Sequence, residues 1–318
     1  MTSSSKLKLS VVSACLNEQE ILHEFISRTD AACKTVAEDS YEIILVNDGS
    51  TDATLEIMKA AAQDNAHLVI INLSRRFGHQ AALTAGLFEA QGDRILILDS
   101  DLQDPPELLT EMSAALDEGA DIAFGQRTAR DGESWFKKAS ASLFYWSFSH
   151  LTSMPMPENA GDFRLMSRRA VDKLNAMPER SRFLRGMTSW IGLNQKAIPY
   201  HRAARASGTT KYPLRKMLHF ALDAITSFST RPLRIASYGG ALCGVFGLGL
   251  LIYVLHAWVM GHVVPGWTSL MVVVLLIGGV QLLCLGVFGE YLGRLYIESK
   301  QRPLFIIESI IREEKTKI

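Results

Sequence analysis

The sequence has no Asp, Glu, Lys or Arg between Arg234 and Glu290, although the whole chain of 318 residues carries 33 Lys and Arg and 33 Asp and Glu. Soluble domains carry about a quarter charged residues throughout, so this uncharged gap argues against a purely soluble protein. It also argues against a transporter with many spans, because the gap has room for at most two spans of about 20 residues.

Four further absences exclude other classes of protein or segment. The net charge is zero, whereas a general nucleic-acid binder carries a basic excess. The four cysteines have no C-x-x-C spacing, which argues against a zinc site or a disulfide framework. No G-x-G-x-x-G follows the first predicted strand, as a dinucleotide-dependent dehydrogenase would require. Residues 1–8 are polar, so we expect no secretory signal there.

The uncharged gap divides into two apolar stretches, at about 235–259 and 267–290. Each is long enough to cross about 30 Å of hydrocarbon, which predicts a transmembrane hairpin within 233–295. Lys and Arg flank the hairpin on both sides, whereas the connecting loop has none. The positive-inside rule therefore predicts an inner (cytoplasmic) membrane protein with its catalytic domain and both termini in the cytoplasm. A buried helical hairpin of a soluble protein is the alternative, and glycine pairs spaced four apart leave a homo-oligomer possible.

The first part of the chain alternates apolar runs with helical patterns. The runs predict strands at 7–16, 41–47, 67–73, 94–98 and 121–125, with helices at 18–37, 51–64 and 80–90 and another opening at Pro105 and Pro106. Repeated units of this kind predict an α/β domain, at 1–210, whose parallel sheet is covered on both faces. Ligands of such sheets bind at the carboxyl ends of the strands.

Two segments mix basic with aromatic residues, at 134–151 and 211–228. This composition is typical of a helix that lies in a membrane interface. The alternative is a helix in the core of the domain, which can have a similar composition. We assign 211–232 to an amphipathic interface helix and 296–318 to a cytoplasmic C-terminal tail.

The most informative polar cluster is Asp99-Ser100-Asp101, followed by Gln103, directly after a predicted strand. Carboxylate and amide oxygens at a strand end favour a hard cation, and Mg²⁺ or Mn²⁺ bound by one or two carboxylates completes its shell with substrate phosphates. A solvated acidic turn is the alternative. Asp48, after the second strand, can accept hydrogen bonds from a base or ribose, or can simply belong to a turn.

The order of Asn17-Glu18, Asp48-Gly49-Ser50 and the Asp99 cluster resembles family 2 glycosyltransferases, which have the Rossmann-like GT-A fold. The run from Asp101 to Glu107, the run Gly161–Ser167 and the two-span hairpin resemble the polyisoprenyl-phosphate members of that family. These include dolichol-phosphate mannose synthase and, closer to this chain, the bactoprenol glucosyltransferases. The resemblance extends from about residue 8 to about residue 303.

This resemblance implies the inverting transfer of a sugar to undecaprenyl phosphate, with glucose from UDP-glucose as the first expectation, for modification of a cell-envelope glycan. The same reaction with mannose or 4-amino-arabinose is one alternative, and a catalytically silent membrane scaffold is another. The expected partners are therefore a nucleotide sugar, undecaprenyl phosphate and the bilayer, with no nucleic acid.

The resemblance and the charge of the substrates together assign the site residues. Asp99, Asp101 and Asp162 are expected to be catalytic. Asp101 and Gln103 are expected to bind the metal ion, Mg²⁺ or Mn²⁺. The nucleotide sugar is expected at Asn17, Glu18, Asp48, Asp99, Arg205 and Lys211. Two phosphate groups must be held, so basic residues are expected at the acceptor phosphate: Arg127, Lys138, Arg164, Arg182 and Arg185.

Two positions depart from the family pattern. Leu16 stands where the family usually has a tyrosine, so an aromatic ring that could stack on the base is missing. His79 ends the run Arg75–His79, which we interpret as a loop near the donor, at a position where relatives often carry Lys or Gln.

Overall fold

The structure is a computed structural model. It describes residues 7–128, 160–201, 229–261 and 266–312. The chain divides into two compact units. A sheet unit holds the described residues up to 201 and from 302 onward, and a helical unit holds those from 229 to 301. The segments predicted at 134–151 and 211–228 lie outside the described residues.

The sheet unit begins with alternating strands and helices, as the sequence predicts. These elements are β1 (Leu9–Cys15), α1 (Leu22–Ala37), β2 (Tyr41–Asn47), α2 (Thr54–Asp64), β3 (Leu68–Leu73), α3 (His79–Glu89), β4 (Arg94–Ile97), a 3₁₀ turn (Pro106–Leu108), α4 (Leu109–Asp117) and β5 (Ile122–Arg127). The remaining elements are β6 (Ala160–Ser167), α5 (Arg168–Asn175), α6 (Leu184–Ile191), β7 (Gln195–Tyr200) and, after the helical unit, β8 (Ile307–Arg312).

The sheet is mixed rather than parallel, so the prediction of a parallel sheet is wrong. Its strand order is β7-β5-β6-β4-β1-β2-β3-β8. The strands β4, β1, β2 and β3 run parallel, but β6 is antiparallel to both β4 and β5. The sequence pattern misses β6 because Asp162 and Arg164 interrupt its apolar run, although both side chains are buried. A strand buried on both faces is normally recognised by a continuous apolar run.

The parallel half of the sheet places the polar loops at one edge. Every residue of β1 and of β2 is buried, and α3 packs closely on these two strands. At Gly86 a Cβ would overlap the Val12 side chain and lie 3.2 Å from Val46 Cγ2, so glycine is required for that approach. Because parallel strands end at the same edge, the residues that follow β1, β2 and β4 lie together there.

The predicted C-terminal tail contains the last strand of the sheet. β8 pairs antiparallel with β3, and Ser74 N donates to Ile306 O at 3.0 Å. The strand covers the edge of β3, which would otherwise present unpaired backbone groups.

The helical unit consists of two long apolar helices, α7 (Arg231–Val259) and α8 (Trp267–Ser299). Cys284 Sγ, in the second half of α8, donates to Ala236 O near the start of α7, at 3.2 Å, so the two helices run antiparallel as a hairpin. Both have the length and apolar composition of membrane spans, over Arg231–Ala257 and Val272–Ser299. Their apolar side chains are exposed, which argues against the hairpin being the core of a soluble domain.

Glu42 connects four parts of the sheet unit through one buried carboxylate. Its Oε1 accepts from Ser10 Oγ and from Gln91 N, both at 2.7 Å, and Arg312 Nη2 of β8 lies 3.4 Å from its Oε2. Glu42→Ala would leave the buried Ser10 hydroxyl without its acceptor and remove the partly buried bond from Gln91 N, which we expect to lower the free energy of unfolding by about 1–3 kcal/mol. The thermal unfolding midpoint of the detergent-solubilised protein measures this effect. Glu56→Ala, on an exposed position of α2, is the control, and an equal midpoint for both variants would contradict the assignment.

Candidate functional site

The loops that follow β1 and β2 are joined by hydrogen bonds. Asn17 has a left-handed backbone, with a φ of 58°, and its N donates to Ser50 Oγ at 3.1 Å. Its side-chain Oδ1 accepts from Thr51 N at 2.8 Å. Glu18 N donates to Thr54 Oγ1 at 2.9 Å. The predicted nucleotide residues Asn17 and Glu18 therefore lie in one ordered double loop at the carboxyl edge of the sheet.

Asp48 holds the loop that precedes α3. Its buried carboxylate accepts from Phe77 N at 2.7 Å and from Gly78 N at 3.0 and 3.1 Å. The chain passes so closely that a Cβ on Gly49 would lie 2.6 Å from Arg76 N. Asp48 thus orients the start of α3, in addition to the nucleotide contact that the sequence predicts for it.

The Asp99–Gln103 turn presents oxygen atoms in a tight bend. Asp101 Oδ1 accepts from Gln103 N at 3.1 Å, and Leu102 has a left-handed φ of 55°. Gln103 is buried, and its Oε1 accepts no hydrogen bond from the described residues. Within the described parts of the chain, no group of three or more His, Cys, Asp or Glu could hold a metal ion. An amide oxygen without a donor, next to a carboxylate, nevertheless fits a hard cation that takes its other ligands from substrate phosphates.

Asp162, on β6, is a buried carboxylate at this edge of the sheet. Arg185 of α6 donates to it twice, Nε to Oδ1 at 2.8 Å and Nη2 to Oδ2 at 3.2 Å, and Gln80 Nε2 donates to Oδ2 at 3.2 Å. Burial opposes ionisation, but the positive charge of Arg185 and the contact with His79 outweigh it and hold the pKa of Asp162 well below its usual range. The carboxylate is therefore ionised at neutral pH.

His79, the first residue of α3, lies between two carboxylates. Its Nε2 is 3.4 Å from Asp99 Oδ1 and 3.7 Å from Asp162 Oδ2, and its side chain is 44% exposed. Burial lowers the pKa of the imidazole, but the two carboxylates raise it by more, to about 10. At neutral pH the ring is therefore an imidazolium that contacts both acids.

The arginines predicted for the acceptor phosphate are spread over separate contacts. Arg127 Nε donates to Tyr200 Oη at 3.1 Å, and its Nη2 lies 3.6 Å from Asp104 Oδ1. Arg164 is buried and donates to Thr188 Oγ1 and to Gly161 O.

Arg182 is also buried and donates to Leu174 O. Arg185, by contrast, has a side chain about one-third exposed beside Asp162. The other predicted basic residues, Lys138, Arg205 and Lys211, lie outside the described residues. The structure therefore brings Asp99, Asp162 and Arg185 together, and leaves Arg127, Arg164 and Arg182 bound to groups of the protein itself.

Two residues at the centre of the site have no predicted role in the sequence analysis. The sequence predicts only a loop near the donor for His79, and only the start of a helix for Gln80. Gln80 donates to Asp162 and accepts from Leu184 N at 2.9 Å, so it links α3, β6 and α6. Both contacts depend on β6 lying beside β4, which the sequence pattern did not show. The polar pair directly after Gly78, at the start of an apolar helix, is the signal that could have identified them.

Two protein-family patterns match the chain. Glycosyl transferase family 2 matches residues 10–174, and the GtrB C-terminal hairpin matches residues 231–295. The first match covers β1 to β6 and most of α5, and the second covers α7 and most of α8.

Several curated relatives align over nearly the whole chain. An uncharacterized glycosyltransferase of Bacillus subtilis, YkcC, is 43% identical over 306 residues, which are 96% of this chain and 94% of that protein. The bactoprenol glucosyl transferase of Shigella phage SfV is 39% identical over 307 residues, 95% of this chain and 99% of that protein.

A solved structure shows the same fold. Glucosyl-3-phosphoglycerate synthase from Mycobacterium tuberculosis, in complex with Mn²⁺, UDP and phosphoglyceric acid, superposes with a TM-score of 0.50 at 18% identity. The superposition covers 70% of this chain and 77% of that one. This likeness confirms the GT-A fold that the sequence resemblance implies.

The ion pair of Asp162 and Arg185 should contribute to the free energy of unfolding. Arg185→Ala would leave a buried carboxylate without its main counter-ion, which we expect to lower the free energy of unfolding by about 3 kcal/mol. Arg169→Ala is the matched control, because Arg169 is 68% exposed and lies 3.7 Å from Asp121, in an ion pair expected to contribute less than about 1 kcal/mol. Thermal unfolding in detergent compares the two variants.

The same pair predicts a dependence on pH. The folded-state pKa of Asp162 is depressed, so its contribution is complete above the unfolded value of about 3.9 and is lost as the pH falls below it. The difference in unfolding midpoint between the wild type and Arg185→Ala should therefore be constant from pH 7 to about pH 5 and shrink at lower pH. A difference that grows on acidification would contradict this assignment.

Proposed function

This chain belongs to glycosyl transferase family 2, and we propose that it transfers the sugar of a nucleotide-diphosphate sugar, UDP-glucose in the first place, to undecaprenyl phosphate. The observation that carries this proposal is the similarity to a bactoprenol glucosyl transferase over 95% of the chain, catalytic domain and hairpin together. The cluster of Asp99, Asp101 and Asp162 at the carboxyl edge of a GT-A sheet supplies the matching chemistry.

The proposed reaction needs little acid–base chemistry. A phosphate monoester has a second pKa near 6, so the acceptor is already a dianionic nucleophile at neutral pH. One of its oxygens attacks the anomeric carbon from the face opposite the leaving group. The bond from that carbon to the diphosphate oxygen breaks, the nucleoside diphosphate leaves with the electron pair, and the configuration inverts. The enzyme must therefore position two anions and stabilise the charge on the leaving group.

Each cluster described above fits one part of this task. The double loop at Asn17 and Glu18 lies where the nucleotide is expected, and Asp99, with a side chain 24% exposed, can accept hydrogen bonds from the ribose or sugar. Asp162 accepts hydrogen bonds from Arg185 and Gln80, so its main contribution is a fixed negative charge that keeps these side chains in place. Asp101 and Gln103 would hold Mg²⁺ or Mn²⁺, and the ion supplies positive charge to the departing diphosphate.

The basic residues complete the proposal for the two phosphates. Arg205 and Lys211 are assigned to the donor diphosphate. Arg127, Lys138 and Arg185 are assigned to the acceptor phosphate, with Arg164 and Arg182 holding the elements behind them in place.

The hairpin has a direct use in this reaction. A polyprenyl acceptor keeps its hydrocarbon tail in the bilayer, so its phosphate is reachable only at the membrane surface. Two spans with basic residues at both outer ends would hold the catalytic domain at that surface, on the cytoplasmic face of the membrane. We therefore place both termini of the protein in the cytoplasm.

A transfer assay tests the proposed reaction. The full-length protein in detergent is incubated with undecaprenyl phosphate and radiolabelled UDP-glucose, and with GDP-mannose and other nucleotide sugars in parallel. We expect radioactivity in an organic-soluble lipid product, formed only with added Mg²⁺ or Mn²⁺. Asp101→Ala should lower the rate by at least about 100-fold, since charge stabilisation of that size is usual for one group.

Asp64→Ala, at an exposed position of α2, is the control for this assay and should keep the wild-type rate. If Asp101→Ala also keeps it, the metal assignment is wrong. If no sugar yields a lipid product, the proposed reaction is wrong, whereas activity with a donor other than UDP-glucose would change only the sugar.

The orientation of the hairpin has its own test. Val264→Cys, in the loop between the spans, should react with a membrane-impermeant maleimide added to intact spheroplasts. Thr316→Cys, near the C-terminus, should react only after the membrane is opened, and the wild type gives the background from its own cysteines. The reverse pattern of labelling would place the termini outside.

A further inference from the structure

We propose that His79 is a positioning residue of the sugar site, where it bridges the carboxylates of Asp99 and Asp162 and so sets their spacing. This inference rests on the proposed function, since it concerns how the same site receives the donor. The argument starts from the register of two neighbouring strands.

The register of β4 and β6 brings two acids face to face. In this antiparallel pair Leu96 lies opposite Leu165, and Ile97 lies opposite Arg164. The pairing ends at Ile97, and the same register continued for two residues would put Asp99 opposite Asp162. Like charges directly opposite one another on adjacent strands are destabilising, because their Cβ atoms are only about 5 Å apart.

A pair of opposed carboxylates normally resolves its repulsion by keeping a proton on one of the two acids. Here cations lie at the pair instead. Arg185 binds both oxygens of Asp162, and His79 Nε2 lies within 3.4 Å of Asp99 and 3.7 Å of Asp162. Arg185 balances Asp162, and the imidazolium is the group that reaches across to Asp99.

The position of His79 is set by the backbone behind it. Gly78, with a φ of 103°, donates its N–H to the buried carboxylate of Asp48. The next residue, Gln80, donates to Asp162. His79 is therefore held between two anchored neighbours, and the raised pKa of its ring is consistent with a permanent positive charge there.

We expect position 79 to require a positive charge, and not only a hydrogen-bond donor. A neutral side chain of similar length would leave Asp99 and Asp162 with no cation between their carboxylates, so the spacing of the two acids would change. This change alters the acceptors presented to the sugar and ribose hydroxyls, so binding of the nucleotide sugar should suffer. A lysine would keep the charge and satisfy both acids.

Steady-state kinetics of the full-length enzyme separate these cases. We expect His79→Gln to raise KM for the nucleotide sugar by about 10-fold or more, and His79→Lys to keep it within about 3-fold of the wild type. His23→Gln, on the exposed face of α1, is the control and should leave both kcat and KM unchanged. Equal effects of Gln and Lys at position 79, or no effect of either, would overturn the proposal.

A second measurement does not depend on activity, so it stands even if the proposed reaction is wrong. The ring of His79 is titrated by NMR in protein labelled at histidine Cε1, with its signal identified by its absence in His79→Gln or, if that variant does not fold, in His79→Lys. We expect a pKa well above 6.5 in the wild type and a lower pKa in both Asp99→Asn and Asp162→Asn, because each removes one negative neighbour. A pKa near 6.5, or one that neither variant lowers, would overturn the bridge. A wild type that forms no lipid product but shows the expected titration would overturn only the proposed function.

Discussion

An ionised carboxylate can remain buried at Asp162 only because Arg185 and His79 lie against it, and the surrounding elements are arranged to keep those cations in place. Arg185 comes from α6, His79 from α3, and the acid itself from β6. A buried charge that loses its partner is strongly destabilising, so the three elements are constrained to one arrangement. That arrangement also puts Asp162 beside Asp99, at the edge of the sheet where ligands of this kind of fold bind.

Asp48 connects the position of His79 to the central strands of the sheet. This residue follows β2 and accepts from the two amides that precede His79, so the loop after β2 also orients the imidazolium. The double loop of Asn17 and Ser50 lies at the same edge. The loops after β1 and β2, the start of α3 and the carboxylate of Asp162 are therefore connected through hydrogen bonds at one edge of the sheet.

Much of this architecture is readable from the sequence, because local pattern determines it. Strands β1 to β5 are apolar runs bounded by turns, and the hairpin is marked by the absence of charge from Ile235 to Gly289. The acids at positions 99 and 162 are recognisable through the family resemblance. The sequence does not show that these two acids face each other, because this depends on β6 lying antiparallel beside β4. The charged residues Asp162 and Arg164 interrupt the apolar pattern by which β6 would be recognised. The burial of Arg164 is equally invisible, since a charged residue in a sequence suggests a surface.

The edge strand β8 gives the chain an unusual order of assembly. β3 is an apolar strand, and its outer neighbour is made only after both long helices, more than 230 residues later. Until then the nascent sheet would have one open edge, of the kind that invites pairing with other chains. In the order of synthesis, the edge of the sheet is therefore completed by a segment that follows the hairpin. A chain that ends before residue 307 would therefore leave the outer edge of β3 open, even with every other strand of the sheet in place.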